Sequence, residues 1–370
     1  MRRLFKIFRI FLLRHITIEC DHIPHHFRPV PLKKAINWFL TELSVYFKPE
    51  KPWGFPTHLL IEPTNHCNIR CALCPVTEGL KRPKGRMPFD LFKQIIDEVA
   101  DYVFLILLWD WGEPFLNPRV YDMIRYARSK NIQLMSSTNG HVFSRMDNAV
   151  KVVDSGLDSL IFALDGISQS TYEKYRSGGS LEQVIRGIRN VVSAKKEAGS
   201  RTPLVNIRFI VMKHNEHEVP LLPGFAKNLG VDMLTTRALY PYDDNTGSKT
   251  EAAGHPFIPE NPEYRRFLID PEKGTRIRRK KNPCKALWNN PAIHWNGVIC
   301  PCSFDPHDTH MMGNLNEKSL REIWSGTKYR QMRRQFRRNY RNLALCADCT
   351  YAFEGGSCST EDIIHKYVFV

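Results

Sequence analysis

Residues 58–75 read HLLIEPTNHCNIRCALCP, a short apolar run that leads directly into Cys67, Cys71 and Cys74. Residues 58–62 have the length and composition of a buried strand. Three thiolates separated by three and two residues can bind one corner of an iron–sulfur cube and leave the fourth iron without a protein ligand. This stretch therefore predicts a metal centre at the end of a strand.

The pattern of a strand followed by a helix recurs from residue 56 to residue 240. Six strands separated by helices predict an α/β fold with a parallel sheet, hence a complete or partial barrel. Such barrels place their chemistry at the C-terminal ends of the strands, where the first three cysteines lie. The predicted strands are 58–62, 103–108, 133–137, 159–164, 204–211 and 232–237, and the predicted helices are 90–101, 119–129, 142–155, 181–198 and 218–228.

The composition is that of a globular protein. Of the 370 residues, 42% are hydrophobic and 25% are charged, which excludes disorder, collagen and low complexity as overall descriptions. The longest apolar stretch, at 103–109, is far shorter than the roughly 20 residues that a membrane-spanning helix needs, and the N-terminus has no cleavable-signal pattern. We therefore expect a cytoplasmic protein.

Ten cysteines in a cytoplasmic protein indicate metal or redox chemistry, because that compartment keeps thiols reduced. Zinc is the structural alternative at the first group, with His66 as a fourth ligand. His66 adjoins Cys67 in the chain, so its side chain is awkwardly placed to bind the same ion.

The order of strand, CxxxCxxC and further helices resembles the radical S-adenosylmethionine (SAM) superfamily, over about residues 56–240.

This resemblance implies a partial (β/α)6 TIM-like barrel and a [4Fe–4S] cluster whose open iron binds SAM through its amino and carboxylate groups. One electron, from a flavodoxin or ferredoxin-type donor, would cleave SAM to a 5′-deoxyadenosyl radical that abstracts hydrogen from the substrate. The protein would enclose this radical, which otherwise attacks protein or solvent.

The resemblance extends to short motifs that follow successive strands. Gly112-Glu113-Pro114 is similar to the family's GGEP element, which contacts the methionine amino group, with Trp111 in place of the first glycine. Thr138-Asn139-Gly140 is similar to a segment near the ribose, and Ala163 stands where many relatives have serine. Arg208 on the fifth strand is expected to pair with the methionine carboxylate, and an ion pair within the protein is the alternative.

A second set of cysteines, Cys284, Cys302, Cys346 and Cys349, resembles the auxiliary-cluster domains called SPASM and, in shortened form, twitch. The resemblance implies a small C-terminal domain stapled by one auxiliary [4Fe–4S] cluster with four protein ligands. The last ninety residues have too little apolar sequence for an independent core, so such a staple is physically reasonable. A four-cysteine zinc site is the alternative.

The sequence leaves alternatives for the three remaining cysteines and for one aspartate. Cys300 would point the same way as Cys302 in a strand and could substitute for it as a ligand, whereas Cys20 and Cys358 are expected to be buried spectator thiols. Asp305 is a candidate catalytic proton acceptor near the substrate, or a residue that starts the turn before a proline.

Basic residues are concentrated at the two ends of the chain, which has a net charge of +15. An amphipathic helix is expected within residues 1–15, MRRLFKIFRIFLLRH, either in a membrane interface or packed on the protein. A helix from Ser319 would present an arginine-rich face to solvent, to an anionic substrate or to a membrane. The arginines of that face are Arg330, Arg333, Arg334, Arg337, Arg338 and Arg341.

Four segments are predicted: a basic extension (1–55), the barrel (56–240), a bridging segment (241–283) and the auxiliary domain (284–360). The expected enzyme is an oxidoreductase that abstracts hydrogen from a small or lipid-linked, sugar-like anionic substrate, with a possible peripheral contact at the inner membrane surface. A peptide or protein maturase and a radical RNA-modifying enzyme are alternatives, and a zinc-stapled interaction protein is the non-enzyme alternative. Recognisable RNA-binding modules are absent, so nucleic acid is not the expected partner.

Overall fold

The computed structural model describes residues 13–240, 256–357 and 361–369. Its strands are β1 (Ile16–Cys20), β2 (Ile23–Phe27), β3 (His58–Ile61), β4 (Arg70–Cys71), β5 (Leu105–Leu107), β6 (Gln133–Thr138), β7 (Ser159–Ala163), β8 (Arg176–Ser177), β9 (Leu204–Val211), β10 (Met233–Ala238), β11 (Ala292–Ile293), β12 (Val298–Cys300), β13 (Gly313–Asn314) and β14 (His365–Val368). Its α-helices are α1 (Leu32–Phe47), α2 (Pro75–Glu78), α3 (Phe89–Val99), α4 (Val120–Ser129), α5 (Met146–Asp154), α6 (Gln169–Tyr175), α7 (Leu181–Glu197), α8 (Leu222–Asn228), α9 (Ala286–Asn289), α10 (Leu320–Trp324), α11 (Thr327–Asn339) and α12 (Ala344–Ala347).

One sheet contains all six strands that the sequence predicts, and they lie side by side in chain order. The strands β3, β5, β6, β7, β9 and β10 pair in parallel. Beyond β3 the sheet continues through β11 in parallel and then through β12 and β13, and β14 closes the other edge against β10. The predicted α/β fold with a partial barrel is confirmed.

The two faces of this sheet bury different apolar clusters, because successive side chains of a strand point to opposite sides. Leu59 and Ile61 pack with the helices in the larger cluster. Leu60, between them, packs with Leu107 and Ile161 in a smaller cluster inside the partial barrel. The outer helices are amphipathic: α3 buries residues at 91, 92, 95, 96 and 99, which is one face of a helix.

Three of the predicted helices are interrupted. The region 142–155 is a 3₁₀ turn, His141–Ser144, followed by α5, because Arg145 is extended. The region 218–228 begins as a 3₁₀ turn, Glu216–Leu221, and becomes regular only in α8, since Pro220 has no N–H to donate. The helix predicted from Ser319 is two helices, α10 and α11, separated at residues 325–326.

The described part of the N-terminal extension is integrated into the barrel. The hairpin of β1 and β2 inserts Cys20 and Ile23 into the cluster inside the barrel. Its tip residues, Asp21 and His22, have left-handed backbones with φ of 57° and 58°. The amphipathic helix predicted for residues 1–15 lies almost entirely outside the described residues, as does Cys358.

The C-terminal segment shares the barrel's core. Trp288, Ile299 and Tyr329 belong to the same apolar cluster as the outer face of the barrel strands. This agrees with the expectation that the last ninety residues do not form a core of their own. Within the described residues, none of the helices is long and apolar enough to cross a bilayer.

Candidate functional site

The first three cysteines lie on the loop that leaves the carboxyl end of β3. Cys71 is in β4 and pairs with Arg176 of β8, and the N–H of Ala72 donates to the carbonyl of Tyr175 at 2.9 Å. This short ribbon fixes the middle of the loop. Burial raises the pKa of all three thiols, that of Cys74 to about 12. In the metal-free protein the thiols are therefore protonated, and metal binding must release these protons.

The spacing of the sulfurs favours a cluster over a zinc ion. Two thiolates on one tetrahedral zinc lie about 3.8 Å apart, because each Zn–S bond is about 2.3 Å. Among the described residues, no three cysteine sulfurs lie within 4.8 Å of one another. Neither cysteine group therefore has, among the described residues, the close arrangement of a single-ion site, and an iron–sulfur cube accepts more widely spaced thiolates.

The Gly112-Glu113-Pro114 loop lies against the cysteine loop. A Cβ on Gly112 would lie 2.5 Å from the carbonyl oxygen of Thr64, and its φ is +124°, so that only glycine fits there. The N–H of Glu113 donates to the carbonyl of His66 at 2.8 Å. These contacts couple the backbone of the glutamate to that of the first cysteine.

The carboxylate of Glu113 is buried and hydrogen-bonded by the next motif. It accepts the N–H of Asn139 at 2.7 Å and the hydroxyl of Thr138 at 2.9 Å. Burial raises the pKa of Glu113 to about 7, and these hydrogen bonds offset only part of the effect. The Asn139 amide donates to Asn68 Oδ1 at 2.7 Å and lies 3.9 Å from Cys67 Sγ. The structure thus brings the predicted residues of both motifs to the cysteine loop.

Arg208 lies elsewhere, inside the barrel. Its guanidinium pairs with Asp21 at the tip of the N-terminal hairpin, and Arg237 of β10 pairs with the same carboxylate. In this structure Arg208 makes the internal ion pair that the sequence left as an alternative. Asp21 is 187 residues away in sequence, and no local pattern indicates the contact.

A buried ion pair next to the cysteine loop was missed by the sequence analysis. Arg176 donates to Asp165 with an Nε–Oδ2 distance of 2.7 Å, and its Nη1 lies 3.6 Å from Cys71 Sγ. Asp165 follows the end of β7, the position where parallel barrels place functional side chains, and this was the available signal. Arg176 follows a helix and belongs to no motif.

The four cysteines of the second set meet in one place. Cys284, Cys302, Cys346 and Cys349 line a cavity of about 60 Å³ whose walls include Met332 and Phe336. Burial, and then the neighbouring thiolates, raise the pKa of Cys302 and Cys346 well above the usual range.

Cys300 does not line this cavity. Strand β12 ends at Cys300, so the alternation that would align it with Cys302 is broken, and its side chain packs inside the barrel. It therefore has no place in the four-cysteine site.

Asp305 stabilises the turn after Cys302. Its carboxylate accepts the N–H groups of Thr309 at 2.9 Å and His310 at 2.6 Å. Burial raises the pKa of Asp305, but the hydrogen bonds from His310 and Thr309 outweigh it and hold the pKa below its usual value. These contacts are those of the turn-forming residue that the sequence offered as the alternative to a proton acceptor.

The arginine-rich face of α11 is only partly exposed. Arg333 is fully buried: it donates to the carbonyls of Leu287 at 2.7 Å and Trp324 at 2.8 Å, and it stacks on the rings of Trp324 and Tyr329. Burial lowers the pKa of Arg333 to about 9. This arginine is part of the core, whereas Arg330, Arg337 and Arg338 are exposed.

Comparison with known proteins agrees with this geometry. Residues 61–221 match the radical SAM superfamily, and residues 284–350 match the SPASM iron–sulfur cluster-binding domain. A tungsten-containing aldehyde ferredoxin oxidoreductase cofactor-modifying protein of Pyrococcus furiosus is 26% identical over 333 residues, which cover 83% of this chain and 90% of the relative. An AdoMet-dependent heme synthase of Methanosarcina barkeri is 25% identical over 307 residues, 75% of this chain and 85% of the relative.

A solved structure shows the same fold. Streptococcus suis SuiB, crystallised with the precursor peptide SuiA, aligns with a TM-score of 0.58 and 15% identity, over 85% of this chain and 75% of that protein. At this identity the likeness shows the fold alone.

Proposed function

The chain belongs to the radical SAM superfamily and carries a SPASM domain, and we propose that this enzyme removes hydrogen from a small or lipid-linked, anionic substrate. One observation carries the radical chemistry of the proposal: the chain has a three-cysteine loop joined to Glu113 at the end of β3 and a separate four-cysteine cavity. We assign the barrel to residues 56–240 and the auxiliary domain to residues 284–360.

The residues around the first site fit a cluster with bound SAM. Three cysteines would leave one iron open, and SAM bound there would supply a 5′-deoxyadenosyl radical after one-electron reduction by a flavodoxin or ferredoxin-type donor. Cys67, Cys71 and Cys74 would bind the cluster, and Glu113 would accept the methionine ammonium in its buried pocket. Thr138 and Asn139 hold this carboxylate and the loop in place.

The ion pair inside the barrel has a different part in the proposal. Arg208 and Arg237 both pair with the carboxylate of Asp21 inside the barrel. An arginine guanidinium can also bind a second carboxylate or a phosphate through its remaining N–H groups. Arg208 would thus bind a carboxylate of SAM or an anionic group of the substrate while it stays paired with Asp21.

The second site supports an oxidation. Four cysteines would saturate a cube, so a cluster held by them would have no open iron for a substrate and would instead accept an electron from the substrate radical. The mostly apolar walls, which include Met332 and Phe336, would limit the access of water to such a cluster. A net two-electron oxidation, or bond formation after hydrogen loss, is the reaction expected from such a pair of sites.

An exposed surface supports a substrate at an anionic membrane. Tyr46, Phe47 and Trp53 form an aromatic patch in which each side chain is more than half exposed and neighbouring ring centroids lie 5.0 and 5.7 Å apart. Soluble proteins rarely expose such clusters, and aromatic rings with basic neighbours are typical of membrane interfaces. This patch supports the peripheral contact predicted for the N-terminal end of the chain.

Basic residues surround the aromatic patch. Glu50 is hydrogen-bonded by Arg334 at 2.9 Å, and this contact together with the charges of Arg337 and Arg338 lowers its pKa. A groove of about 690 Å³ beside the patch is lined by Leu32, Ile36 and Trp53 and edged by the basic Lys33, Lys51 and Arg321. The basic residues at the groove favour anionic headgroups.

Two measurements test the proposal. Anaerobically iron-loaded enzyme with dithionite and SAM should form 5′-deoxyadenosine, and a deuterated substrate should transfer deuterium into it; absence of 5′-deoxyadenosine would contradict the proposed chemistry. Separately, the enzyme should sediment with vesicles that contain phosphatidylglycerol but not with phosphatidylcholine alone.

The membrane contact has a matched control. Phe47→Ser with Trp53→Ser should abolish sedimentation, whereas Leu221→Ser, which changes an equally exposed apolar residue outside the patch, should not. Equal binding by both variants, or binding to neutral vesicles, would exclude the patch as the contact. Concentration-dependent self-association lost in the double variant would identify it as a dimer interface instead.

A further inference from the structure

Three side chains of different chemistry meet between the auxiliary segment and the barrel. His294 follows β11, Cys300 ends β12, and Asp308 lies in the turn that begins at Cys302. Cys300 Sγ lies 3.9 Å from His294 Nδ1 and 3.7 Å from Asp308 Oδ1, and His294 Nδ1 is hydrogen-bonded to Asp308 Oδ1. His294 and Cys300 are fully buried.

From this arrangement we propose a third metal site, in which His294 Nδ1, Cys300 Sγ and an Asp308 oxygen bind one divalent ion of the zinc class. The three atoms lie within 4.8 Å of one another, which neither set of cluster cysteines does among the described residues. Imidazole nitrogen, thiolate sulfur and carboxylate oxygen are all zinc ligands, and three of them leave one position for water.

A second observation concerns the other nitrogen of the histidine. His294 Nε2 lies 3.4 Å from Asp110 Oδ2, and both atoms are buried without another hydrogen-bond partner in the described residues. Histidines that bind a metal through one nitrogen commonly direct the other towards a carboxylate, which orients the ring. Asp110 is therefore the positioning residue of this site.

The ion belongs on the Nδ1 side of the ring. On the Nε2 side the third potential ligand is Glu62, whose two oxygens accept Arg82 Nη1 at 2.7 Å and Arg82 Nη2 at 2.5 Å. A bidentate arginine already saturates this carboxylate. On the Nδ1 side the thiol of Cys300 lies close to both other proposed ligands, and Arg82 Nε approaches Asp308 Oδ1 at the longer distance of 3.9 Å.

The net charge of the site permits one divalent ion to replace two protons. A divalent ion adds two positive charges, while the proton shared by His294 and Asp308 and the thiol proton of Cys300 leave. The net charge of the buried group is unchanged, so the ion brings no uncompensated charge into the interior. It would connect β11 and β12 to the turn that follows Cys302.

Metal analysis of the holoenzyme tests the site. Enzyme with both clusters, loaded with Zn²⁺ and freed of excess, should retain about one zinc per chain, and zinc-edge X-ray absorption should show one sulfur among nitrogen and oxygen ligands. Cys300→Ala and Asp308→Asn should lose this zinc and keep the iron content, which shows that they remain folded. Cys20→Ala removes another buried thiol of the same inner cluster and should keep the zinc.

A variant of Asp110, whose carboxylate orients the His294 ring, provides a further test of the site. Asp110→Asn should weaken zinc affinity by about 10- to 100-fold without removing a ligand. Zinc at background level in the wild type, zinc retained by Cys300→Ala, or zinc with four sulfurs would each overturn the proposal, the last because it would place the ion in the auxiliary cysteines.

Discussion

The two cysteine sites differ in how their sulfurs are surrounded. Cys67, Cys71 and Cys74 lie on one short loop, and polar groups approach it: the amide of Asn139 and the guanidinium of Arg176. The four cysteines of the second site come from two distant segments and close over a mostly apolar cavity. An incomplete ligand set in a polar setting suits a site that binds a charged cofactor, and a complete set in a mostly apolar setting suits electron transfer.

The largest expected effect comes from removing one cysteine ligand from each site, because SAM cleavage and electron transfer should then be lost separately. Cys67→Ala should reduce 5′-deoxyadenosine formation to the level of iron-free protein, because the cluster that binds SAM is lost. Cys346→Ala should keep uncoupled SAM cleavage and lose turnover of the true substrate. Iron analysis should give about eight irons per chain in the wild type and about four in each variant, since each cube holds four. Equal loss of SAM cleavage in both variants would contradict the division.

The buried arginines beside the two sites should differ in their effect on stability. Arg176→Met leaves Asp165 as an unpaired buried charge and should lower the free energy of unfolding by about 3–5 kcal/mol. Arg333→Met, near the second site, removes hydrogen bonds to carbonyls but strands no charge, and should cost about 1–3 kcal/mol. Denaturant unfolding of the two iron-loaded variants checks the order, and a larger loss for Arg333→Met would show that the ion pair is not the stronger contact.

SAM affinity should depend on pH through Glu113. The pKa of this carboxyl is raised to about 7 by burial, so it loses its charge as the pH falls and then attracts the methionine ammonium less. Affinity should fall by about tenfold between pH 8 and pH 6, since one ionised group is needed for binding. Equilibrium binding to the unreduced enzyme measures this, and Glu113→Gln should bind weakly at both pH values. An unchanged slope in the variant would assign the titration to another group.

The smallest difference concerns hydrogen bonds to sulfur. The Asn282 amide donates to Cys349 Sγ at 3.5 Å, whereas the Asn139 amide is 3.9 Å from Cys67 Sγ. Hydrogen bonds to ligand sulfurs tune cluster potentials, because they stabilise the more negative, reduced state. Asn282→Ala should lower the potential of the second cluster by a few tens of millivolts and Asn139→Ala should change that of the first by less. Redox titration followed by electron paramagnetic resonance measures both.

Much of the fold was accessible from local patterns. The six parallel strands were predicted from apolar runs separated by helices. Their ends differ by up to two residues, and the helices differ at their ends and at the interruptions at Arg145, Pro220 and Gly326. β11–β14 were not predicted, because strands of two to four residues carry no periodicity and form only by pairing with edges that already exist.

The sequence by itself determined the six parallel strands of the sheet and the grouping of the cysteines, because strand periodicity and ligand spacing act over a few residues. Tertiary structure alone decided that Arg208 pairs with Asp21, that Arg176 reaches Cys71, and that Cys300 turns away from Cys302. These contacts join residues that are far apart in the chain or follow from the point where a strand ends. The physical reason is that sheet order and burial select such partners, and neither leaves a local pattern.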